Sequence, residues 1–425
     1  MDVHQGSTTT IKPNSLYAQE LRETDVFIVD EISMVDNNAL RLIDRMLKEF
    51  MNNKLPFGGK IFIIGGDFRQ CLPVERRGSK AMQISKSVRK SPLWKHFKGN
   101  VFHLTGNKRV EEGQQEFADF ILKMGDGILP TDENGYIDIP SEHIVKPQVV
   151  KAKYGKTEAS RADKVDAARK QLIKEVFGPY IDSGDFGKMA TRMILTPHNE
   201  SMLEINNKII DQLKLKKHEV FTKYSVDTVN EGEPDQNAEQ WTPELIHSCN
   251  SAGLPPHELR LIKGMPVMVV RNLNPARGIM NGTRLTVLNV HEHILEGEIL
   301  NGRHKGEKVM IPKVKLTSKD EFSFTLSRKQ FPVKPCYAMT INKSKGQTID
   351  YVGLDLTSPV FSHGQCYVAF SRVRGWNNIK VAVEPAKGNK VKNIVWKELL
   401  FDELDESEEM LPPATTPKTS RKRTE

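Results

Sequence analysis

The sequence predicts an α/β fold: parallel sheets, with a small antiparallel β-barrel inserted in the frame. Two short apolar runs, VFIVDE (Val26 to Glu31) and KIFIIGGD (Lys60 to Asp67), are β-branched and continuous rather than alternating. That is the pattern of parallel strands buried on both faces. Between them NNALRLIDRMLKEF repeats Leu40, Ile43, Leu47 and Phe50 at helical spacing, so the order is that of a β-α-β unit. The barrel is predicted by GMPVMVVRNL, RLTVLNV, HILEGEIL and KVMIPKVKL, strand-like segments separated by Gly and Asn turns at short intervals.

The other elements follow in order. A Lys-rich stretch from Ser160 to Phe177 reads as helix, and MILTPHNE (Met193 to Glu200) reads as a strand leading into an amphipathic helix, the start of a second α/β layer. From Lys216 to Pro256 the chain is polar and punctuated by Gly232, Pro234, Pro243 and Pro255-Pro256, which predicts an irregular excursion. The parallel pattern resumes at CYAMTI and NIKVAVE. After Phe401 an acidic run (Asp402 to Glu409), two prolines and TSRKRTE have the composition of a disordered tail.

At 425 residues the chain exceeds what one core holds, about 250 to 300 residues, so more than one domain is expected. Lys plus Arg number 62 against 54 Asp plus Glu, a mildly basic balance that favours a polyanionic partner. Cys71, Cys249, Cys336 and Cys366 are far apart, with no CxxC pair and no His at ligand spacing, which predicts reduced cysteines and neither a zinc site nor a disulfide framework. There is no signal-like start and no apolar window near the ~18 residues of a membrane span, so a soluble intracellular protein without membrane contact is expected. The SRKR of the tail reads first as solvated charge and second as a weak nuclear signal, so the nucleus is only weakly expected and the mitochondrion is left open.

Phosphoryl transfer needs a metal to bridge phosphates and a group to orient the attacking water, and a strand ending in Asp-Glu supplies both from one edge. Asp30 would hold Mg²⁺ and Glu31 would polarise the water, although a solvated strand end looks the same. GGDFRQ places Gly65, Gly66 and Asp67 at the end of the second strand, with Gln70 three residues on, able to sense a γ-phosphate. A Gly-rich turn with an incidental Gln is the alternative there. Downstream, YAMTINKSKGQTID gathers Thr340, Asn342, Lys343, Ser344, Gly346, Gln347 and Thr348 in one loop, groups that suit a nucleic-acid backbone, or simply solvent. In GQCYVAFSRVRG, Arg372 and Arg374 follow an apolar segment, and one of them could serve as an arginine finger or sit idle at the surface.

Taken in order, VDEISM, GGDFRQCLPV, LTGNKR, KGMPVMVVRNLN with GIMNGTRL, QFPVKPCYAMTINKSKGQT and FSHGQCYVAFSRVR closely resemble the PIF-type (petite integration frequency) ATP-dependent DNA helicases, and especially the branch found in Helitron transposable elements. The likeness runs from about Asp25 to about Val383. It implies a superfamily-one helicase moving 5′ to 3′ on single-stranded DNA and DNA junctions, with two RecA-like domains and ATP and Mg²⁺ between them. Work in DNA repair, recombination and telomere maintenance goes with the family. On the resemblance Asp30 and Glu31 are the magnesium and base carboxylates, Gln70 is the γ-phosphate sensor, and Arg109 and Arg372 reach ATP from the second domain. The loop Thr340 to Thr348 couples DNA to the ATP cleft, with Thr340, Asn342, Lys343, Ser344, Lys345, Gln347 and Thr348 on DNA and Gly346 on the nucleotide. The strands near Gly282 to Pro312 resemble a strand-guiding subdomain. Lys345 stands where the family usually has Gln, adding a charge near the expected DNA track. The implied domains are 1–108 (first RecA-like, incomplete), 109–262 and 331–385 (second RecA-like), 263–330 (barrel) and 386–425 (tail).

A phosphate loop requires GxxxxGK[S/T], and no segment of the chain matches. The nearest, GDFGKMA (Gly184 to Ala190), lacks the leading Gly and has Met189 in place of the hydroxyl. In the family the loop precedes the VDEISM strand by tens of residues, so here it would fall upstream of Met1. Two readings stand: part of a complete helicase, or a catalytically dead nucleic-acid-binding remnant of a transposon-derived one. A third, an RNA helicase of the same superfamily, is opposed by the wording of FSHGQCYVAFSRVR and MTINKSKGQT.

Overall fold

A computed structural model describes residues 4, 6–73, 78–104, 106, 108–148, 159–230, 241–250, 253–318, 322 and 324–400. The chain forms two compact units, one within Met1–Val101 and Val395–Glu425, the other within Phe102–Ile394. Among the described residues no helix is long and apolar enough to cross a membrane.

In the first unit the expected β-α-β arrangement is present. Strands Val26–Val29 and Ile61–Ile64 pair in parallel, Val26 opposite Ile61 and Val29 opposite Ile64. The connecting helix Asn37–Phe50 starts at Asp36, whose carboxylate accepts from the Asn38 N–H, and it buries Leu40, Leu47 and Phe50. Its apolar stripe meets Phe27, Val29, Phe62 and Ile64 from one face of the strands, with Phe57 stacked on Phe62 at 4.0 Å between centroids. The other face departs from expectation. Val26, Ile28, Ile61 and Ile63 are 42%, 73%, 59% and 49% exposed, so these continuous apolar strands are covered on one side only. Two strands with one helix can shield one face, and among the described residues nothing lies over the second.

The second unit is built on a four-stranded parallel sheet in the order Ala338–Thr340, Arg192–Thr196, Tyr351–Leu356, Ile379–Val383. Its strands are buried nearly throughout, as continuous apolar runs require. Helix Arg161–Ser183 lies against Tyr351–Leu356 and Ile379–Val383, and helix Asn199–Leu215 against the other two strands. Gly353 permits the close approach of helix and sheet, since a Cβ there would come within 2.7 Å of Val176 Cγ2. The buried Arg169 joins these layers. Its Nε donates to Asp355 at 3.0 Å, its Nη2 to Ser201 Oγ at 2.6 Å, and its Nη1 to Glu204.

The inserted strands are antiparallel, as expected. Five of them run Lys308–Pro312, Ile294–Ile299, Arg284–Val290, Pro266–Val269, Val333–Pro335 across one sheet, and Val314–Ser318, Thr325–Gln330 and Val226–Asn230 form a second. Val226–Asn230 corrects the reading of 216–256 as irregular. That segment also holds strand Phe221–Tyr224, paired with Glu258–Leu261, and helix Pro243–Ser248. Its polarity misled because Asp227 is buried on Arg328, and hydropathy does not register a buried ion pair. The insertion therefore recruits a strand from well before residue 263. The tail also starts later than 386. Lys390–Lys392 pairs with Tyr136–Asp138, and Leu399 is fully buried in the first unit, where Arg89 donates to the Leu400 carbonyl at 2.9 Å. Val391 and Leu399 are the apolar anchors that overall charge concealed. The acidic run and SRKR lie outside the described residues.

Candidate functional site

In the first unit the two strands continue beyond their assigned ends into a tight carboxyl edge. The Gly65 N–H donates to Val29 O at 2.9 Å and the Ile32 N–H to Gly65 O at 2.8 Å. Gly66 packs flat on the next turn, because a Cβ there would lie 3.0 Å from Ile32 N and 3.2 Å from Ser33 N. This close approach brings the segment of Asp30 and Glu31 beside the segment leading to Gln70, the open edge at which parallel sheets bind ligands.

Two features set this edge apart. Glu31 sits in the left-handed region, φ 52° and ψ 40°, a conformation costing a non-glycine residue about 1–2 kcal/mol. Its Oε2 and the Oε1 of Gln70 are buried without a hydrogen-bond partner among the described residues. Buried acceptors of this kind cost about 1–3 kcal/mol each, and folded proteins keep few. They suit a water that gives up its protons. Asp30 is exposed, and its Oδ1 accepts from the Glu31 N–H at 2.8 Å. The donor set, one open carboxylate and two acceptors on a rigid edge, fits a magnesium–nucleotide. Glu31→Gly will hold or raise the thermal midpoint, by relief of the left-handed strain worth about 1 kcal/mol, while removing the carboxylate. A melting curve checks this, and a midpoint several degrees lower would contradict it.

In the second unit the loop after strand Ala338–Thr340 turns through Ile341–Ser344 and is braced from below. Arg372, expected as a finger, is 1% exposed and turned inward. Its Nε donates to Val368 O at 2.9 Å, its Nη1 to Ser344 O and Gln347 O at 3.2 Å each, and its Nη2 to Ser371 Oγ at 2.8 Å. Arg109 meets it there, donating from Nη1 to Ser371 O at 3.1 Å. The structure thus unites the two arginines around Ser371 and gives Arg372 the task of holding the loop. A guanidinium in an apolar interior binds whatever carbonyls face it, and the loop's carbonyls do. Arg374, two residues on, is exposed.

Ser344 is likewise corrected. It is fully buried, donating to Ile341 O at 2.7 Å, so its hydroxyl does not face a nucleic acid. Thr340 is 8% exposed. Asn342 Oδ1 accepts from Gln365 Nε2 at 3.1 Å, and burial lowers the pKa of Lys343. Lys345 and Gln347 are half-buried, while Gly346 and Thr348 are exposed. Gly346 has φ +70° and no atom near a would-be Cβ, the geometry of a turn glycine. Gln365 was missed by the residue-level reading. It joins Asn342 to the segment before helix Gln365–Phe370, with its Oε1 accepting from Phe361 N–H at 2.9 Å, and its only sequence signal is its place in FSHGQ.

The sequence profile of PIF1-like helicases matches residues 1–135, and that of the Pif1 DNA helicase 2B domain matches residues 244–290. These matches support the PIF1-like helicase family for the chain. It is 26% identical over 374 residues to the ATP-dependent DNA helicase Pif1 of Bdellovibrio bacteriovorus, covering 86% of this chain and 69% of the relative. It is 27% identical over 356 residues to human ATP-dependent DNA helicase PIF1, covering 83% of this chain but 45% of the relative. The fold is similar to that of the Bacteroides Pif1 helicase solved with ADP-AlF3 and single-stranded DNA, with a TM-score of 0.60 at 21% identity over 94% of this chain and 79% of that one. The chain therefore spans about two thirds of one of these curated relatives and under half of the other.

Proposed function

We propose that the chain is the motor of an ATP-dependent DNA helicase, hydrolysing ATP to move 5′ to 3′ along single-stranded DNA and into junctions. The observation that carries this is Glu31, held in strained backbone at the end of a parallel strand with a buried, unpartnered carboxylate oxygen. Asp30 would hold Mg²⁺, which when bound would neutralise phosphate charge. Glu31 takes up the water's proton, and Gln70 senses the γ-phosphate. Arg109 steadies the second unit's loop through Ser371, and Arg374, rather than the inward Arg372, supplies the free guanidinium. Asn342, Lys343, Lys345, Gln347 and Thr348 present the loop to the DNA backbone, with Thr340 and Ser344 shaping it and Gly346 setting its turn.

The phosphate-loop strand and helix of a complete motor would extend this sheet and cover the open face of Val26, Ile28, Ile61 and Ile63, and that apolar face supports this reading. Within the family the wording of FSHGQCYVAFSRVR and NKSKGQT supports the Helitron branch, with work in repair, recombination or telomere maintenance, and SRKR supports the nucleus. One observation favours the second reading, a DNA-binding remnant: the sequence lacks GxxxxGK[S/T]. Strand displacement separates the two. With a relative's phosphate-loop segment joined ahead of the chain, a duplex bearing a 5′ single-stranded tail should be unwound and one bearing a 3′ tail left intact. Binding to both without unwinding either would favour the remnant.

A further inference from the structure

At the carboxyl edge of the four-stranded sheet an aromatic pair stands outside every residue assigned above. Phe361 lies between strand Tyr351–Leu356 and helix Gln365–Phe370 and is 51% exposed, although Val360, Ser362 and His363 beside it are 4%, 4% and 0% exposed. A phenylalanine held half out of the core by buried neighbours forgoes part of the gain of burying its ring, so its exposure calls for a reason. One ring face is taken. The imidazole of His198, which follows strand Arg192–Thr196, stacks on it with centroids 5.2 Å apart and planes 28° apart.

The ring is held firmly. The Phe361 N–H donates to Gln365 Oε1 at 2.9 Å, and the Ser362 N–H donates to the same oxygen at 3.2 Å. The Gln365 amide donates to Asn342 Oδ1, so the Phe361 segment is fastened to the loop 340–348 proposed for the DNA backbone. At one end Thr357 donates from Oγ1 to Asp355 at 2.6 Å, and at the other Gly364 N–H donates to Ile394 O at 3.0 Å. Three strand-end loops thus meet around one fixed aromatic, in the place where open parallel sheets bind ligands.

We propose that His198 and Phe361 form a stacking platform for a base of single-stranded DNA. The inference rests on the reading that this unit binds single-stranded DNA, and it adds a base contact to the backbone contacts of the neighbouring loop. Every base has a π-face, so such a platform holds the strand without selecting sequence, as a translocating protein requires. His198 backs the ring and leaves its opposite side to the base.

The test compares affinities of the purified chain for labelled oligothymidylate and for an abasic oligonucleotide of equal length, by fluorescence anisotropy. Wild type should prefer the base-bearing strand by about 5- to 150-fold, the range for one base stack. In Phe361→Ala that ratio should fall toward one, while Phe361→Trp should keep it and add a fluorescence change on binding. Circular dichroism melts of each variant show that the fold is retained. A ratio unchanged in Phe361→Ala, or a wild-type ratio near one, overturns the platform while leaving DNA binding intact. Absence of wild-type binding to either strand sinks the underlying reading and the platform together.

Discussion

Glu31→Gln will lower ATP turnover by about 10²- to 10⁴-fold while nucleotide still binds, once the phosphate-loop segment is joined to the chain. The substitution preserves shape and removes the acceptor strength of the carboxylate. If Glu31 takes the water's proton, kcat falls and KM for ATP changes little, the signature of an interaction made in the transition state. Its strained backbone is formed by the neighbouring turn, where the Met34 N–H bonds to Glu31 O and the Ile32 N–H to Gly65 O, so the variant keeps the edge intact. Steady-state kinetics with the two proteins side by side check this. A loss confined to KM would make Glu31 a binding residue and remove it from the chemistry.

Arg328→Met will destabilise the second unit by about 3–5 kcal/mol, the usual cost of stranding one partner of a buried ion pair. Arg328 is fully buried. Its Nε and Nη2 grip Asp227 at 2.9 and 2.7 Å, and its remaining protons go to the carbonyls of Cys249, Pro255 and Ile246 at 3.1 Å each. One side chain therefore ties strand Val226–Asn230 to helix Pro243–Ser248 and to the turn after it. The variant strips the buried Asp227 carboxylate of its guanidinium, leaving the Ser225 hydroxyl, and takes one donor from each of three carbonyls, so the denaturant midpoint should fall with little change in slope.

Asp227 gives the same prediction a pH dependence. Burial alone would raise its pKa, but hydrogen bonds from Arg328 and Ser225 and the guanidinium charge outweigh burial and hold it below the usual carboxylate value. A depressed folded-state pKa means stability that is present above the unfolded value of about 3.9 and is lost as pH falls through the folded value. The gap between wild type and Arg328→Met should thus be full at neutral pH and close below about pH 4. Asp227, His247 and His257 offer ligand atoms within 4.8 Å of one another, but Arg328 and Ser225 already occupy the carboxylate, so the cluster reads as part of this brace.

Much of the frame was legible because backbone chemistry repeats in the sequence. Continuous apolar runs foretold the parallel strands, and Leu40 and Leu47 foretold the helix between them. What stayed hidden depended on direction rather than identity. Ile28 and Ile63 look alike whether covered or open, and only the fold reveals that their face is bare. Arg372 and Arg374 are equally basic in the sequence, yet the first turns inward onto carbonyls and the second stays at the surface. Ser344 belongs to a polar motif, but its hydroxyl closes its own turn. The polar run 216–256 hid two strands because its central acid is neutralised by an arginine about a hundred residues away.

Hydrolysis of ATP at the proposed edge of Asp30, Glu31 and Gln70 should respond to single-stranded DNA. The most direct measurement is the ATP turnover of the chain with a relative's phosphate-loop segment joined ahead of it, with and without single-stranded DNA and Mg²⁺. Turnover should require Mg²⁺ and rise at least tenfold on adding DNA. Turnover of the same size with and without DNA, in a protein shown to bind both ATP and DNA, would contradict it.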